Sequence, residues 1–251
     1  MQQEKPEFFL SEEDVYTGNF PPFFNPTEVP GIAILEKNWT SILEEFNQVI
    51  KNPNLSKSDS PNPPYLSSPE AWKNIYFYNF MWKYHKNCKR YPITYQILKQ
   101  VPFLTFAEVT ILEPHSEILP HIGETNTTIR GHLGLSIPGK LPEAGIEVKG
   151  ESRSWADGKV VLFSDAHRHR VWNHTSARRM VLVFDLINPV YQDHALWYCA
   201  QSLSTLVIKG IDSRIPIIKK LPRFVQWGIH YLISAAWVIY LPLQRRISFL
   251  P

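Results

Sequence analysis

The sequence predicts a mainly β protein, an antiparallel jelly roll with helices at its flanks, and three observations carry that prediction. From Phe103 onward, short apolar runs alternate with turns: FAEVTIL, HLGLSI, GIEVKG, KVVLF and MVLVFDLI. Their spacing of roughly ten to fifteen residues suits consecutive antiparallel strands. Composition agrees: twenty-one prolines stand against eleven glycines, with eleven tyrosines and eight tryptophans, a balance that favours strands and irregular turns over a helical bundle. Gly150 to Ser154 and Ala156 to Lys159 supply hairpin turns, with Asp157-Gly158 the strongest of them.

The remaining elements follow in chain order. Residues 1–30 read as an irregular arm rich in proline and phenylalanine, as in Phe20 to Pro26. Trp39, Ile42, Leu43, Phe46 and Ile50 recur at helical spacing and predict a helix from Asn38 to Ile50. Residues 52–69, NPNLSKSDSPNPPYLSSP, form a loop whose Ser, Asn and Pro suit no regular element. Trp72 to Tyr84 reads as one aromatic-rich strand and Tyr91 to Val101 as a short helix. The chain thus divides into an arm, helix and loop (1–70), a β core (71–195) and a basic, apolar helical extension (196–251).

With 251 residues and 44% hydrophobic content, one domain with extensions is the simplest count. A net charge of +3 without a long basic tract gives no reason to expect a nucleic-acid partner. Cys88 and Cys199 make neither a disulfide framework nor a zinc site, and the N-terminal MQQEKPEFFLSEEDVY lacks the basic and apolar regions of a secretory signal. A cytoplasmic setting is the expectation. Sequons at Asn38, Asn54, Asn126 and Asn173 are read as chance, because two of them fall inside the motifs described next.

Those motifs are PHIGETNTTIRGHLGL and GKVVLFSDAHRHRVWNHTSARRMVLVFDLINP. His121 follows a proline at the end of an extended segment, and His169 follows the strand Lys159 to Phe163. Two neutral imidazoles on neighbouring strands can hold one iron(II) ion with coordination positions left open. The usual third ligand, a carboxylate two residues after the first histidine, is absent: that position is Gly123. Water or Glu124 could complete the set, or both histidines could be structural. Arg179 sits in an apolar strand, where a buried cation needs an anion. A bound carboxylate meets that need, and so would an ion pair with Asp185 or Asp165. Arg130 and His132 alternate onto one face of the strand Thr128 to Ile137, either towards the same ligand or as a solvated edge.

From about Phe103 to Pro189 the chain resembles the aspartyl/asparaginyl β-hydroxylase family of iron(II)- and 2-oxoglutarate-dependent dioxygenases. The match is His-x-Gly-x-Thr-Asn-x-x-x-Arg-x-His-Leu-Gly-Leu, then Trp-x-x-Gly-Lys, then Asp-x-x-x-His-x-x-Trp-Asn-x-Thr-x-x-x-Arg. The resemblance implies a double-stranded β-helix, a cupin-like jelly roll. It implies His121 and His169 as iron ligands without a third carboxylate, and Arg179, with Thr110 beside it, on the distal carboxylate of 2-oxoglutarate. Arg130 and His132 would contact that cosubstrate near the metal, and Asp165 would accept from metal-bound water. His167 competes with His169, since the two would share a strand face, and the family register favours His169. Iron(II), 2-oxoglutarate and dioxygen are the implied cofactors and cosubstrates, with ascorbate in support.

The implied reaction couples decarboxylation of 2-oxoglutarate to hydroxylation of an unactivated C–H bond. Family members acting on aspartyl or asparaginyl residues carry arginine where this sequence has Thr128, and relatives act on lipid acyl chains. The extension bears on that choice. Phe224 to Leu243 is uncharged and flanked by Lys219, Lys220 and Arg223 on one side and Arg245 and Arg246 on the other. Twenty such residues could span a bilayer, but Gln226, His230 and Ser234 recur every four residues and Pro242 closes the run. A helix lying in the interface of a membrane's cytoplasmic face is the better membrane reading. A helix packed on the barrel or at a dimer interface is the alternative. The expectation tilts towards a lipid substrate, against a non-catalytic binding member of the same fold and a zinc hydrolase on a cupin-like barrel.

Overall fold

The computed structural model describes residues 4–11, 13–51, 66–67, 71–215 and 217–247. The loop expected over 52–69 lies outside them apart from Leu66 and Ser67. The chain opens with β1 (Phe23–Phe24), α1 (Ile32–Lys37) and α2 (Trp39–Lys51). Next come β2 (Trp72–Asn79), β3 (Trp82–Lys83), α3 (His85–Arg90) and α4 (Pro92–Leu98). Seven strands follow: β4 (Leu104–Leu112), β5 (Ser116–His121), β6 (Thr128–Ser136), β7 (Ala144–Val148), β8 (Glu151–Arg153), β9 (Val160–Phe163) and β10 (His169–Asn173). After β11 (Arg179–Ile187) the chain closes with α5 (Ala195–Asp212) and α6 (Arg223–Arg246).

All strand pairs are antiparallel. They form a seven-stranded sheet, β1-β9-β6-β11-β4-β2-β3, and a four-stranded sheet, β5-β10-β7-β8. This is the jelly roll that the spacing of apolar runs predicts. The alternation along β11 explains the layering. Met180, Leu182, Phe184 and Leu186 join a core with the helices, around Leu35, Ile42, Phe46 and Leu98. Val181 and Val183 face the other way, into a second core shared with Ile118, Ile146, Val148 and Val171 of the smaller sheet. Every residue of β11 is buried, so a one-residue slip would exchange the two cores.

Three local readings need correction. Trp72 to Tyr84 is a hairpin and not one strand: Asn79 pairs with Trp82 across Phe80 and Met81, both at positive φ (44° and 68°). Neither is a usual turn residue, and Phe80 instead packs against Cys199, Ala200 and Leu203 of α5. Asp157-Gly158 is a tight turn with Gly158 at φ 70°, but it carries the chain from β8 in the smaller sheet to β9 in the larger one and closes no hairpin. The turn between β7 and β8 sits at Lys149 and Gly150, with Glu151 to Arg153 already in strand. The N-terminal arm, though irregular, is built in: Phe8, Phe9, Leu10, Tyr16 and Phe20 are buried, and Phe23–Phe24 extends the larger sheet beside β9.

Candidate active site

Strands β5 and β10 are neighbours in the smaller sheet, and their register sets His169 directly opposite His121. The two ring centroids are 4.2 Å apart. His121 Nδ1–H donates to the Leu119 carbonyl at 2.8 Å, and His169 Nδ1–H donates to the His167 carbonyl at 2.9 Å. Each backbone acceptor fixes its ring in the tautomer whose Nε2 carries the lone pair. Burial holds His121 neutral, at about 4, and pushes His169 well below the ordinary imidazole range. Neutral rings with Nε2 available are what metal ligation requires.

His167 does not share their face. It lies in the bend before β10, where Nε2 bonds to the Phe20 carbonyl at 2.8 Å and the ring packs on Tyr16 at 5.0 Å. It braces the N-terminal arm and does not line the cavity.

That cavity, of about 440 Å³, is lined by six of the seven residues nominated from the sequence: His121, His169, Arg179, Arg130, His132 and Thr110. The seventh, Asp165, stands just behind. A Cβ on Gly123 would come 2.3 Å from Asp165 Oδ2, so the position of a would-be carboxylate ligand is already filled by an aspartate side chain. Among the described residues no three His, Cys, Asp or Glu side chains form a metal-holding group. Glu124 does line the cavity.

The charges sort into one closed set and one open group. Arg130 donates from Nε and Nη2 to the two oxygens of Asp185, both at 2.7 Å, and its Nη1 lies 3.0 Å from Asp165 Oδ2. Both aspartates are therefore taken by Arg130, and neither pairs with Arg179. Arg179 is 1% exposed, and its Nε and Nη1 have no hydrogen-bond partner. Its guanidinium lies 4.7 Å from the Trp155 ring, and burial alone pulls it down to about 9. Unpartnered buried polar atoms are rare, yet this cavity has several: Thr110 Oγ1 and His132 Nδ1 besides the Arg179 nitrogens. Register places Thr110 and Leu112 of β4 against Val181 and Arg179 of β11, so Thr110 and Arg179 share the inner face. This donor set fits a ligand carboxylate, and the histidine pair beside it fits a metal.

Two more residues stand out that the sequence left without a role. Glu108 lines the cavity, and burial raises its carboxyl to about 8, against the pull of Arg130. The available signal is an acid inside FAEVTIL, two residues from Thr110. Trp155 supports Arg179 on one side and stacks near His132, with centroids 6.0 Å apart. Asp165 is raised to about 7 by burial, against the pull of Arg130, with Asp185 and Glu124 adding to the rise.

A sequence model of the aspartyl/asparaginyl β-hydroxylase family matches residues 36–189. The chain belongs to that family. Among curated relatives, the ornithine lipid ester-linked acyl 2-hydroxylase of Rhizobium tropici is 31% identical over 68% of this chain and 62% of its own length. The aspartate β-hydroxylase domain-containing protein 2 of Xenopus tropicalis is 32% identical over 74% of this chain and 51% of its own. The human aspartyl/asparaginyl β-hydroxylase is 29% identical over 67% of this chain and 23% of its own. The chain thus spans less than two thirds of each of these relatives. Solved structures overlap only in part. A cupin domain of Schizosaccharomyces pombe Cnp3 covers 51% of this chain and 72% of its own at 11% identity and TM-score 0.33. A 2OG-Fe(II) oxygenase family oxidoreductase from Burkholderia pseudomallei covers 39% and 51% at 19% identity and TM-score 0.29.

Proposed function

We propose that this family member is an iron(II)- and 2-oxoglutarate-dependent oxygenase that hydroxylates an unactivated C–H bond in a lipid acyl chain. Arg179 carries the reading: a buried, unpaired guanidinium sharing one cavity with the His121–His169 pair. A dicarboxylate that reaches both meets the two unmet needs of this pocket at once.

His121 and His169 would hold the iron through Nε2. When bound, the iron supplies the activation of dioxygen that is coupled to decarboxylation of the cosubstrate. The remaining work falls to the protein. Arg179 donates from its planar fork to the distal carboxylate, Thr110 Oγ1 adds a further donor, and the Trp155 ring limits the freedom of the guanidinium. Arg130, clamped by Asp185 and Asp165, acts as a wall fixing strands β6 and β11 and the turn after β9 around the site, and not as a free cation for substrate.

The acyl-chain assignment rests on the lining. Phe80, Phe106, Ile118, Val171, Val183 and Leu206 give the cavity an apolar wall, which excludes water and accepts a methylene chain. Its lining cations are Arg130, which is paired, and Arg179, which serves the cosubstrate; Glu108 and Glu124 are acids. Among the described residues an aspartyl side chain would find no further cation there, in keeping with the expectation drawn from Thr128.

The test is succinate formation from 2-oxoglutarate with iron(II) and ascorbate, with and without detergent-dispersed lipid and beside His169→Ala. Lipid-stimulated turnover lost in the variant supports the proposal. Turnover indifferent to lipid returns the substrate to peptides, and turnover equal to the variant's with iron loaded rejects the oxygenase.

A further inference from the structure

Helix α6 is amphipathic with its faces reversed. Its polar stripe points into the protein: Gln226, His230, Ser234 and Gln244 are buried. There Ser204 Oγ donates to the His230 carbonyl at 2.8 Å, His230 Nε2 meets the Gln201 carbonyl at 3.0 Å, and Gln244 both accepts from Lys83 N and donates to its carbonyl. The outward face is apolar: Phe224, Leu232 and Ile239 are 78%, 75% and 72% exposed, with Leu243 and Tyr231 beside them. Only 22% of the most apolar part of this 24-residue helix is buried, so it is not a core helix. A contiguous exposed apolar face of this kind marks an interaction surface.

The charge around it is mainly positive. From Ser213 to the end of the chain stand six cations, Arg214, Lys219, Lys220, Arg223, Arg245 and Arg246, and no Asp or Glu; of these, Arg223 pairs with Asp14 of the N-terminal arm. They bracket the apolar face at both ends of α6. Apolar side chains flanked by cations suit the boundary between the acyl chains and headgroups of an anionic bilayer. A spanning role does not fit, because the polar stripe is buried against the protein, with His230 bonded to α5 and Gln244 to Lys83 of the β2–β3 hairpin.

Helix α5, on which α6 packs, is also a wall of the catalytic cavity, through Leu206 and Gly210. The next residue, Ile211, is exposed, as are Ile215 and Ile217. We propose that the outward face of the α5–α6 pair docks on an anionic lipid bilayer and holds the cavity against it, so that a lipid chain enters from the membrane. The delivery role rests on the acyl-hydroxylase reading above; the docking does not.

Sedimentation with vesicles of phosphatidylglycerol and phosphatidylcholine tests the surface, with pure phosphatidylcholine vesicles alongside. Wild type should bind the anionic vesicles, and added salt should weaken the binding. Leu232→Gln with Ile239→Gln should reduce partitioning by about tenfold or more while leaving the melting temperature unchanged. Lys219→Gln, Lys220→Gln, Arg245→Gln and Arg246→Gln together should remove the preference for anionic lipid. His169→Ala should bind as wild type does, which separates docking from catalysis. Turnover of detergent-dispersed substrate should survive Leu232→Gln/Ile239→Gln while turnover of vesicle-borne substrate falls. Equal sedimentation of wild type and these variants overturns the proposal. So does light scattering that finds a wild-type dimer made monomeric by Leu232→Gln/Ile239→Gln, which would give the face to a second copy.

Discussion

Replacing Arg179 by methionine should make the ligand-free protein more stable and the ligand-bound protein less so. Burial holds this guanidinium at about 9 in place of its ordinary 12.5, a differential cost of roughly 5 kcal/mol. The Trp155 ring at 4.7 Å returns about 1–2 kcal/mol of that. Methionine keeps much of the length and removes the charge, so the empty fold should gain about 3–4 kcal/mol, at the upper end of what is seen when buried charges give way to apolar groups. For a chain of this size each kcal/mol raises Tm by roughly 2–4 °C. Thermal melts with manganese(II) in place of iron, without and with 2-oxoglutarate, read both effects. At a hundredfold excess over Kd, the cosubstrate should stabilise wild type by about 2.7 kcal/mol and leave Arg179→Met unmoved. The two curves cross. A variant that melts lower when empty yet gains as much from 2-oxoglutarate as wild type would falsify the assignment, since Arg179 would then be a structural cation with an internal partner.

Three further outcomes follow from the same geometry. His169→Ala should lose iron binding, measured by metal content, whereas His167→Ala should keep it and lose about 1–3 kcal/mol of stability with the Phe20 hydrogen bond; the reverse ranking would mean that the ligand register is wrong. Burial disfavours the charge on Arg179, but a guanidinium keeps its proton, so Arg179→Ala should raise the KM for 2-oxoglutarate far more than the requirement for iron. A cosubstrate KM unchanged in the variant would remove Arg179 from the site. Gly123→Asp should destabilise the fold by about 1–3 kcal/mol through overpacking on Asp165 and gain no iron affinity by equilibrium dialysis; tighter iron would show that Asp165 can yield the position.

Where side-chain alternation and burial coincide, the sequence is transparent. Strands β4, β6, β9 and β11 are buried on both faces and carry largely apolar runs, and their order and spacing give the jelly roll away. β5 and β10 are harder, since SEILPH and HRVWN mix charge with apolar residues, yet these two hold the iron-ligand candidates. His121 and His169 stand out as candidates through the family resemblance and not through the strand pattern. What the sequence hides is decided by partners distant in the chain. The Phe80–Met81 turn is stabilised by α5, more than a hundred residues on, and His167 is drawn off by Phe20. Arg130 and Arg179 look alike in one dimension. Only the register of β6, β9 and β11 gives the aspartates to the first and leaves the second alone. In α6 the four-residue recurrence of polar side chains is plain, but which face meets the protein depends on the acceptors that α5 and Lys83 offer.

The distribution of buried charge explains why one arginine can be the ligand group while its neighbour is scaffold. A bidentate Arg130–Asp185 pair with Asp165 on the remaining nitrogen ties strands β6 and β11 to the turn after β9, and breaking such a set by removing one member costs about 3–5 kcal/mol. It therefore fixes the inner face of the larger sheet opposite the histidine pair. Against that fixed frame, Arg179 is left with two nitrogens unpaired, Thr110 Oγ1 and His132 Nδ1 likewise, at a cost that the Trp155 ring offsets only in part. A site whose polar groups already satisfied one another would bind a dicarboxylate only by breaking internal bonds. Here the bonds that hold the frame and the unpaired donors are different atoms, so on the proposed reading a dicarboxylate binds without disturbing the strands that place His121 and His169. The same separation explains the filled position behind Gly123: Asp165 is held by Arg130 as part of the frame, and a two-histidine site is what the frame leaves room for.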